Sequence, residues 1–293
     1  MSIMSFKDRG PWGDSSWRGN CSGHVFRELF ERLKPNVFVD PMVGSGTSVQ
    51  VAQEMNIESY GLDLHNGFNC LRDSILQRVG KHADLVVSHP PYGPMIKYSG
   101  HVWGSVELPD DLSYCKDDDD FHQKMQLVLM NQREATRVNG YYGAIVGDLR
   151  CNGRYVSYQA EMISRLPANE LAGVLIKAQH NTQSASKSYG RMTLPFITHE
   201  YIVLWQRKST NLLRTLHTVA VHAQKALIGT WINVVKQALI GLNGQATLSA
   251  LYEKIAESPK AAENANWQAK VRQTLNQNLD YFKPVQRGEW SLA

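Results

Sequence analysis

The segment ADLVVSHPPYG (83–93) decides the fold. Ala83 to Val87 form an apolar, β-branched run of the kind that a central parallel strand buries on both faces. Pro90 and Pro91 cannot donate to a ladder, so the chain must leave the sheet there. The reading predicts a strand over 84–88 that ends at His89, with Tyr92 at the carboxyl edge of a sheet. Open α/β folds bind their ligands at that edge.

Outward from this strand, residues 36–206 alternate strand-like and helix-like stretches. Strands are expected at VFVDP (37–41), ESYGLDL (58–64), YYGAIVGD (141–148), LAGVLIK (171–177) and HEYIVLWQR (199–207). Helices are expected from 47–55, 70–79, 121–138 and 157–166. Strands alternating with helices predict a mainly parallel sheet covered on both faces, with the last strand as an antiparallel insertion. Two long loops remain, 93–120 and 178–195, and loops of that length are usually functional or disordered. The acidic run Asp117–Asp120 reads as a helix start, because carboxylates suit a helix N-terminus.

After Arg207 the pattern becomes helical. A linking helix is expected over 212–229, then a helix–turn–helix over 230–257 and a further helix over 266–278. Two short strands follow around Arg287-Gly288. Three helices and a terminal hairpin predict a small α+β winged-helix module, which divides the chain into domains 1–209 and 210–293.

The bulk numbers narrow the class. With 43% hydrophobic residues the composition is that of a globular protein, and no stretch has the ~18 apolar residues of a membrane span. The polar start MSIMSFKDRG carries no secretory signal, and four cysteines without C-x-x-C spacing argue against structural zinc or disulfides. A reducing cytoplasm is the expected setting, with no membrane partner and no metal. Residues 210–293 hold nine basic and five acidic side chains, the whole net excess of four; the first 209 balance at 22 of each. A modest basic balance confined to the C-terminal quarter is weak support for a polyanion partner.

VFVDPMVGSGTSVQVA (37–52) is a strand, a glycine-rich turn and a helix. Gly44 and Gly46 allow positive φ and close backbone approach to a ligand, with the helix starting at Ser45–Thr47. No lysine follows, as a phosphate-binding loop would need, and the G-x-G-x-x-G spacing of a dinucleotide site is absent. Asp40 before the turn would repel a pyrophosphate but suits a cation, such as the sulfonium and amino group of S-adenosylmethionine. Asp63 ends the next strand, where an acid can accept bonds from ribose hydroxyls. Asp73 reads equally as a contact to the adenine region or as a helix cap. Asp148 and Arg150 read as substrate contacts or a structural ion pair. Trp12 and Trp17 read as stacking platforms or as packing.

At these motifs the chain resembles the S-adenosylmethionine-dependent DNA amino-methyltransferase family. DPMVGSGT (40–47) looks like the family's D-P-x-x-G-S-G-T loop, and HPPY (89–92) falls where its catalytic (Asp/Asn/Ser)-Pro-Pro-(Tyr/Phe) tetrapeptide should. PFITHEYIVLWQR (195–207) is similar to the family's closing strand, and DRGPWGDSSWRGNCSG (8–23) resembles the segment covering the methionine end of the cofactor. The resemblance spans about residues 5–207. It implies a Rossmann-like fold, S-adenosyl-L-methionine as cofactor, and cofactor contacts from Asp40, Pro41, Gly44, Ser45, Gly46, Thr47, Asp63 and Asp73. His89, Pro90, Pro91 and Tyr92 become the catalytic loop.

The chemistry that follows from the resemblance is transfer to an exocyclic amine of a base flipped out of double-stranded DNA and stacked on Tyr92. Histidine departs from the family's first position. Neutral imidazole accepts one hydrogen bond and imidazolium none, so activity is expected to fall in acid. Ser88 lies one residue early, on the opposite side of the strand, and His89 is the favoured acceptor. The overall look resembles adenine-N6 methyltransferases of phages and Mu-like prophages, with short or relaxed specificity and a role in protection from restriction. Cytosine N4, an RNA substrate and a non-catalytic DNA-binding protein are the alternatives. Lys97, Arg154, Lys270, Arg272, Lys283 and Arg287 are the candidate nucleic-acid contacts.

Overall fold

A computed structural model describes residues 2–92, 96–151, 153–180, 194–208, 231–262, 264–279 and 281–293. The chain folds as two compact units, Met1–Ser209 and Thr210–Ala293.

In the first unit the strands are β1 (Ile3–Ser5), β2 (Val37–Asp40), β3 (Glu58–Gly61), β4 (Ala83–Ser88), β5 (Thr136–Val146), β6 (Leu149–Cys151), β7 (Arg154–Val156), β8 (Leu171–Ala178) and β9 (His199–Gln206). The helices are α1 (Gly23–Leu33), α2 (Thr47–Glu54), α3 (Ile75–Val79), α4 (Asp118–Ala135) and α5 (Tyr158–Arg165). Seven strands join one sheet in the order β1-β8-β9-β5-β4-β2-β3. Within it, β9 runs antiparallel to both its neighbours, β5 and β8, and the other pairings are parallel. This is the mainly parallel sheet with an antiparallel insertion that the alternation predicts, in the Rossmann-like arrangement that the resemblance implies.

Both faces are covered. Leu85 and Val87 of β4 pack with Phe26, Leu29 and Phe30 of α1 and Val51 of α2. Val86, one residue out of phase, packs with Met125, Val128 and Leu129 of α4. A strand buried on both sides must be apolar at consecutive positions, which is why 83–87 reads as a continuous run. β3 and β4 flank β2 on opposite sides, so the order of the chain reverses at β2. The crevice beyond its carboxyl end is the site such sheets leave open for ligands.

The acidic run behaves as expected. Asp117 caps α4 by accepting a hydrogen bond from the Asp120 amide at 2.8 Å, with Asp118–Asp120 in the first turn. Elsewhere the boundaries move. Helix 70–79 shortens to Ile75–Val79, because Asn69 and Asp73 hold 69–73 in a turn. Helix 121–138 ends at Ala135 and runs directly into β5, where Asn139 takes a left-handed conformation at φ 65°. Strand β1 and the β6–β7 hairpin are additions that three-residue segments do not announce. The loop expected over 178–195 lies outside the described residues apart from its two ends.

The second unit contains α6 (Trp231–Gly241), β10 (Gln245–Thr247), α7 (Leu248–Ala256), α8 (Pro259–Ala262), α9 (Trp267–Gln277), β11 (Phe282–Gln286) and β12 (Glu289–Leu292). The three longer helices and the terminal hairpin match the expectation, and β10 adds a third antiparallel strand in the order β10-β12-β11. Val234, Leu239, Leu251, Ile255, Val271, Leu275 and Phe282 form its own core. The expected linking helix lies outside the described residues.

Candidate active site

The carboxyl ends of β2, β3 and β4 open onto one cleft of about 890 Å³, its mouth included. Its walls come from the β2–α2 turn, from Asp63 and Leu64 after β3, from Phe68–Leu71, and from His89 and Pro91 after β4. Trp17, Tyr98, Trp103 and Asp110–Leu112 close the remaining sides.

The turn is built for close approach. Gly44 has φ 51° and Gly46, the cap of α2, has φ 89°, conformations that tax any residue with a Cβ. The Gly44 amide donates to Asp63 Oδ2 at 2.9 Å, tying the end of β3 to the turn. Asp63 Oδ1 accepts from the His65 amide at 3.2 Å, and His65 Nδ1 lies 2.8 Å from it. Asp40 is buried, accepting from the Met42 amide at 3.0 Å and from Ser48 Oγ at 2.6 Å. Burial pushes its pKa up to about 7, against the two hydrogen bonds and with help from the Asp63 charge. Ser45 lines the cleft, and its Oγ is buried with no hydrogen-bond partner among the described residues. Asp40, Pro41, Gly44, Ser45, Thr47 and Asp63 all line the cleft; Gly46 sets the turn without lining it.

The N-terminal segment crosses over this turn. Gly13 donates to Gln50 Oε1 at 2.8 Å, and Thr47 Oγ1 donates to Asn20 Oδ1 at 2.5 Å. A Cβ on Gly13 would overlap Thr47 Oγ1 and stand 2.8 Å from Ser45 Oγ. Trp12 is a packing residue, buried with its Nε1 donating to Glu54 at 2.7 Å, whereas Trp17 lines the cleft against His65.

At the end of β4, Ser88 points into the core and accepts from Gln132 Nε2 at 2.6 Å. His89 therefore faces the cleft, as the strand's alternation requires. Pro90 is buried behind it and Pro91 lines the cleft. Tyr92 is not among the residues lining the cleft. The ring packs beside Gly147 and Tyr158, and its hydroxyl donates to Glu200 Oε1. Burial and the Glu200 charge raise that phenol well above its ordinary range, so it remains a donor. Tyr98 and Trp103 are the aromatic rings that reach the cleft from the 96–117 loop.

Glu200 gathers a cluster that local sequence patterns do not reveal. It is the register partner of Lys177 across β8 and β9, and Lys177 Nζ donates to its Oε2. His89 Nε2 lies 3.4 Å from its Oε1. Burial works against the Glu200 charge, but Lys177 and His89 outweigh it and hold the carboxyl well below the usual carboxylate range. Burial likewise opposes the Lys177 charge, and Cys21 and Glu200 more than compensate, raising its pKa. The one available signal was a glutamate inside an apolar strand, because buried glutamates are almost always paired.

The other candidate residues are placed as follows. Asp73 does not line the cleft; it accepts from the Asn69 amide at 2.8 Å and shapes the 69–73 turn. Lys97 turns inward, donating to the Ser113 carbonyl and standing 4.2 Å from the centre of the Tyr114 ring. Arg154 is exposed but paired with Asp118. Asp148 and Arg150 do not pair. Asp148 anchors the β6–β7 hairpin through Tyr155 and Ser157, and Arg150 donates to the Pro195 carbonyl at 3.2 Å. In the second unit, Lys270 bonds Gln273 and Arg272 bonds Tyr252, while Lys283 and Arg287 are exposed on the hairpin. Among the described residues no cluster of His, Cys, Asp or Glu could hold a metal ion, and no helix is long and apolar enough to cross a membrane.

No family model matches the chain, and no curated protein matches it. Solved structures do. TrmN from Thermus thermophilus is 13% identical with a TM-score of 0.40, over 66% of this chain and 51% of that one. TehB from Haemophilus influenzae is 10% identical with a TM-score of 0.37, over 63% and 62%. The 16S rRNA N2 G1207 methyltransferase RsmC of T. thermophilus, in complex with AdoMet and guanosine, is 16% identical with a TM-score of 0.33, over 67% and 45%. The chain thus spans about half the length of the first of these structures.

Proposed function

We propose that the protein is an S-adenosylmethionine-dependent methyltransferase that modifies the exocyclic N6 amine of adenine in DNA. The observation that carries this reading is a single cleft lined both by the Asp40–Thr47 turn with Asp63 and by His89 with Pro91. One motif is suited to a cationic donor and the other to an amine acceptor, and methyl transfer needs both within one pocket.

The residues fit the cofactor. Asp40 would face its ammonium and sulfonium charges, and the unpartnered Ser45 Oγ would bond its polar end. Asp63 would take the ribose hydroxyls through the lone pairs left free by its two amide donors. Cys70, Leu71, Leu112 and Trp103 offer the flat apolar surface an adenine ring requires. The cofactor supplies a methyl group on a cationic sulfur. His89 and the carbonyl of Pro90 would then receive the target amine, and hydrogen bonds there would localise a lone pair otherwise delocalised into the base.

The second unit is assigned to DNA contact as a winged helix, with Lys270 and Arg272 on α9 and Lys283 and Arg287 on the hairpin. Contacts of this kind position the protein without reading bases, so recognition is short or relaxed, in keeping with protection from restriction. The test is mass spectrometry of nucleosides from unmethylated DNA, and in parallel from RNA, after incubation with protein and S-adenosylmethionine. N6-methyladenine in DNA is the expected product. N4-methylcytosine or a methylated ribonucleoside would reassign the substrate, and no cofactor binding would overturn the reading.

A further inference from the structure

We infer that Glu200 and His89 form a dyad in which Glu200 fixes the imidazole as its Nε2–H tautomer and leaves Nδ1 as the base that receives the proton of the methylated amine. The inference deepens the proposed function and rests on it.

The geometry runs through three pairs. Lys177 holds Oε2 of Glu200, Tyr92 donates to Oε1, and Oε1 faces His89 Nε2 at 3.4 Å. An ionised carboxylate can only accept, so the nitrogen facing it must carry hydrogen, and the neutral ring's lone pair is then on Nδ1. Hydrogen bonds at catalytic sites are commonly long before substrate arrives, and 3.4 Å falls at that long end. The groups facing the dyad are Lys177 from β8, Tyr92 from the β4 loop, and Cys21 from the segment before α1, with Tyr98 and Asp40 farther off. Tyr92 and Cys21 both have raised pKa values and are neutral at pH 7, so Lys177 and Glu200 are the two charges immediately around the ring.

A carboxylate behind an imidazole orients it and stabilises the imidazolium that forms. The balance is direct. The amine lone pair forms the N–C bond, and the C–S bond breaks with its electron pair on sulfur. The N–H proton passes to His89 Nδ1. Glu200 touches no reacting atom and is a positioning residue.

The test uses the full-length protein labelled with ¹⁵N-histidine. Correlation spectra assign His89 by its loss in His89→Asn and report which ring nitrogen carries hydrogen, with no need for turnover. The expected result is the Nε2–H tautomer in the unmodified protein. Glu200→Gln is expected to lose that preference, to slow single-turnover methylation about 10–100-fold, and to shift the acid limb of its pH profile. Cofactor affinity is expected within about twofold, and Glu200→Asp to recover part of the rate. The Nδ1–H tautomer, or an unchanged profile in Glu200→Gln, would overturn the dyad while leaving methylation in place. An intact Nε2–H tautomer in a protein that methylates no nucleic acid would overturn the methyl-transfer reading instead.

Discussion

Ser48 Oγ donates to Asp40 Oδ2 at 2.6 Å, so the last residue of β2 is anchored to the first turn of α2 inside the protein rather than in solvent. The bond favours the carboxylate, but desolvation is stronger and leaves a group that titrates at about 7. The raised value means that the ligand-free protein loses stability as pH rises from the acid range through 7, where an uncompensated charge must form.

A cationic ligand reverses that preference, because it binds only the ionised form well. Affinity for S-adenosylmethionine is expected to weaken about tenfold between pH 8 and pH 6. At pH 6.5 binding should release roughly three quarters of a proton. Calorimetry in two buffers of different ionisation enthalpy measures the release directly, and Asp40→Asn should abolish it. A pH-independent affinity would remove Asp40 from the site.

Ser45→Ala deletes a hydroxyl that has no partner in the protein. Thermal stability without ligand should be unchanged or slightly higher, while cofactor affinity falls by about 0.5–1.5 kcal/mol. Thermal shift and titration on the same preparation separate the two effects. Equal losses in both would assign Ser45 to the scaffold.

Glu170 is buried and accepts from Arg133 at 2.7 and 2.8 Å and from Tyr142 at 2.7 Å. Burial raises its pKa, but these donors and the Lys208 amide outweigh burial and leave the carboxyl below its ordinary value. The stability it contributes is therefore present above the usual carboxylate range and is lost as pH falls through the lowered value. Glu170→Gln should destabilise by about 3–5 kcal/mol, since it removes the carboxylate from a buried guanidinium. Denaturant titration gives the loss, and cofactor affinity should not change, because Glu170 precedes β8 at the amino ends of the parallel strands, whereas the cleft lies beyond their carboxyl ends.

Lys283→Ala with Arg287→Ala should weaken DNA binding similarly for all sequences. The slope of log affinity against log salt should become less steep by about two. Fluorescence anisotropy across a series of salt concentrations reads it. An unchanged slope would take the hairpin out of the interface.

The inner strands of the main sheet were legible because each is a run of β-branched and aromatic residues closed by a turn signal, and those signals are local. The glycine turn and Asp63 were legible for the same reason. The direction of Tyr92 was not. Two prolines fix where the chain leaves the sheet, but the ring's orientation depends on Glu200, 108 residues later. Lys177 and Glu200 meet only through the register of β8 with β9, which no periodicity in either strand encodes. Lys97 and Arg154 looked like free cations because Ser113 and Asp118 are distant in sequence.

Strand β1 is short, yet its pairing with β8 tethers the N-terminal segment to the sheet. Residues 6–22, which carry Gly13, Trp17 and Asn20 across the glycine turn, are moored at one end by the sheet and at the other by α1. A strap held at both ends cannot swing clear like a loose tail. Its middle is tied to α2 by the Gly13–Gln50 and Thr47–Asn20 bonds, and to the 96–117 loop by the Tyr98 hydroxyl, which donates to the Arg18 carbonyl at 3.3 Å.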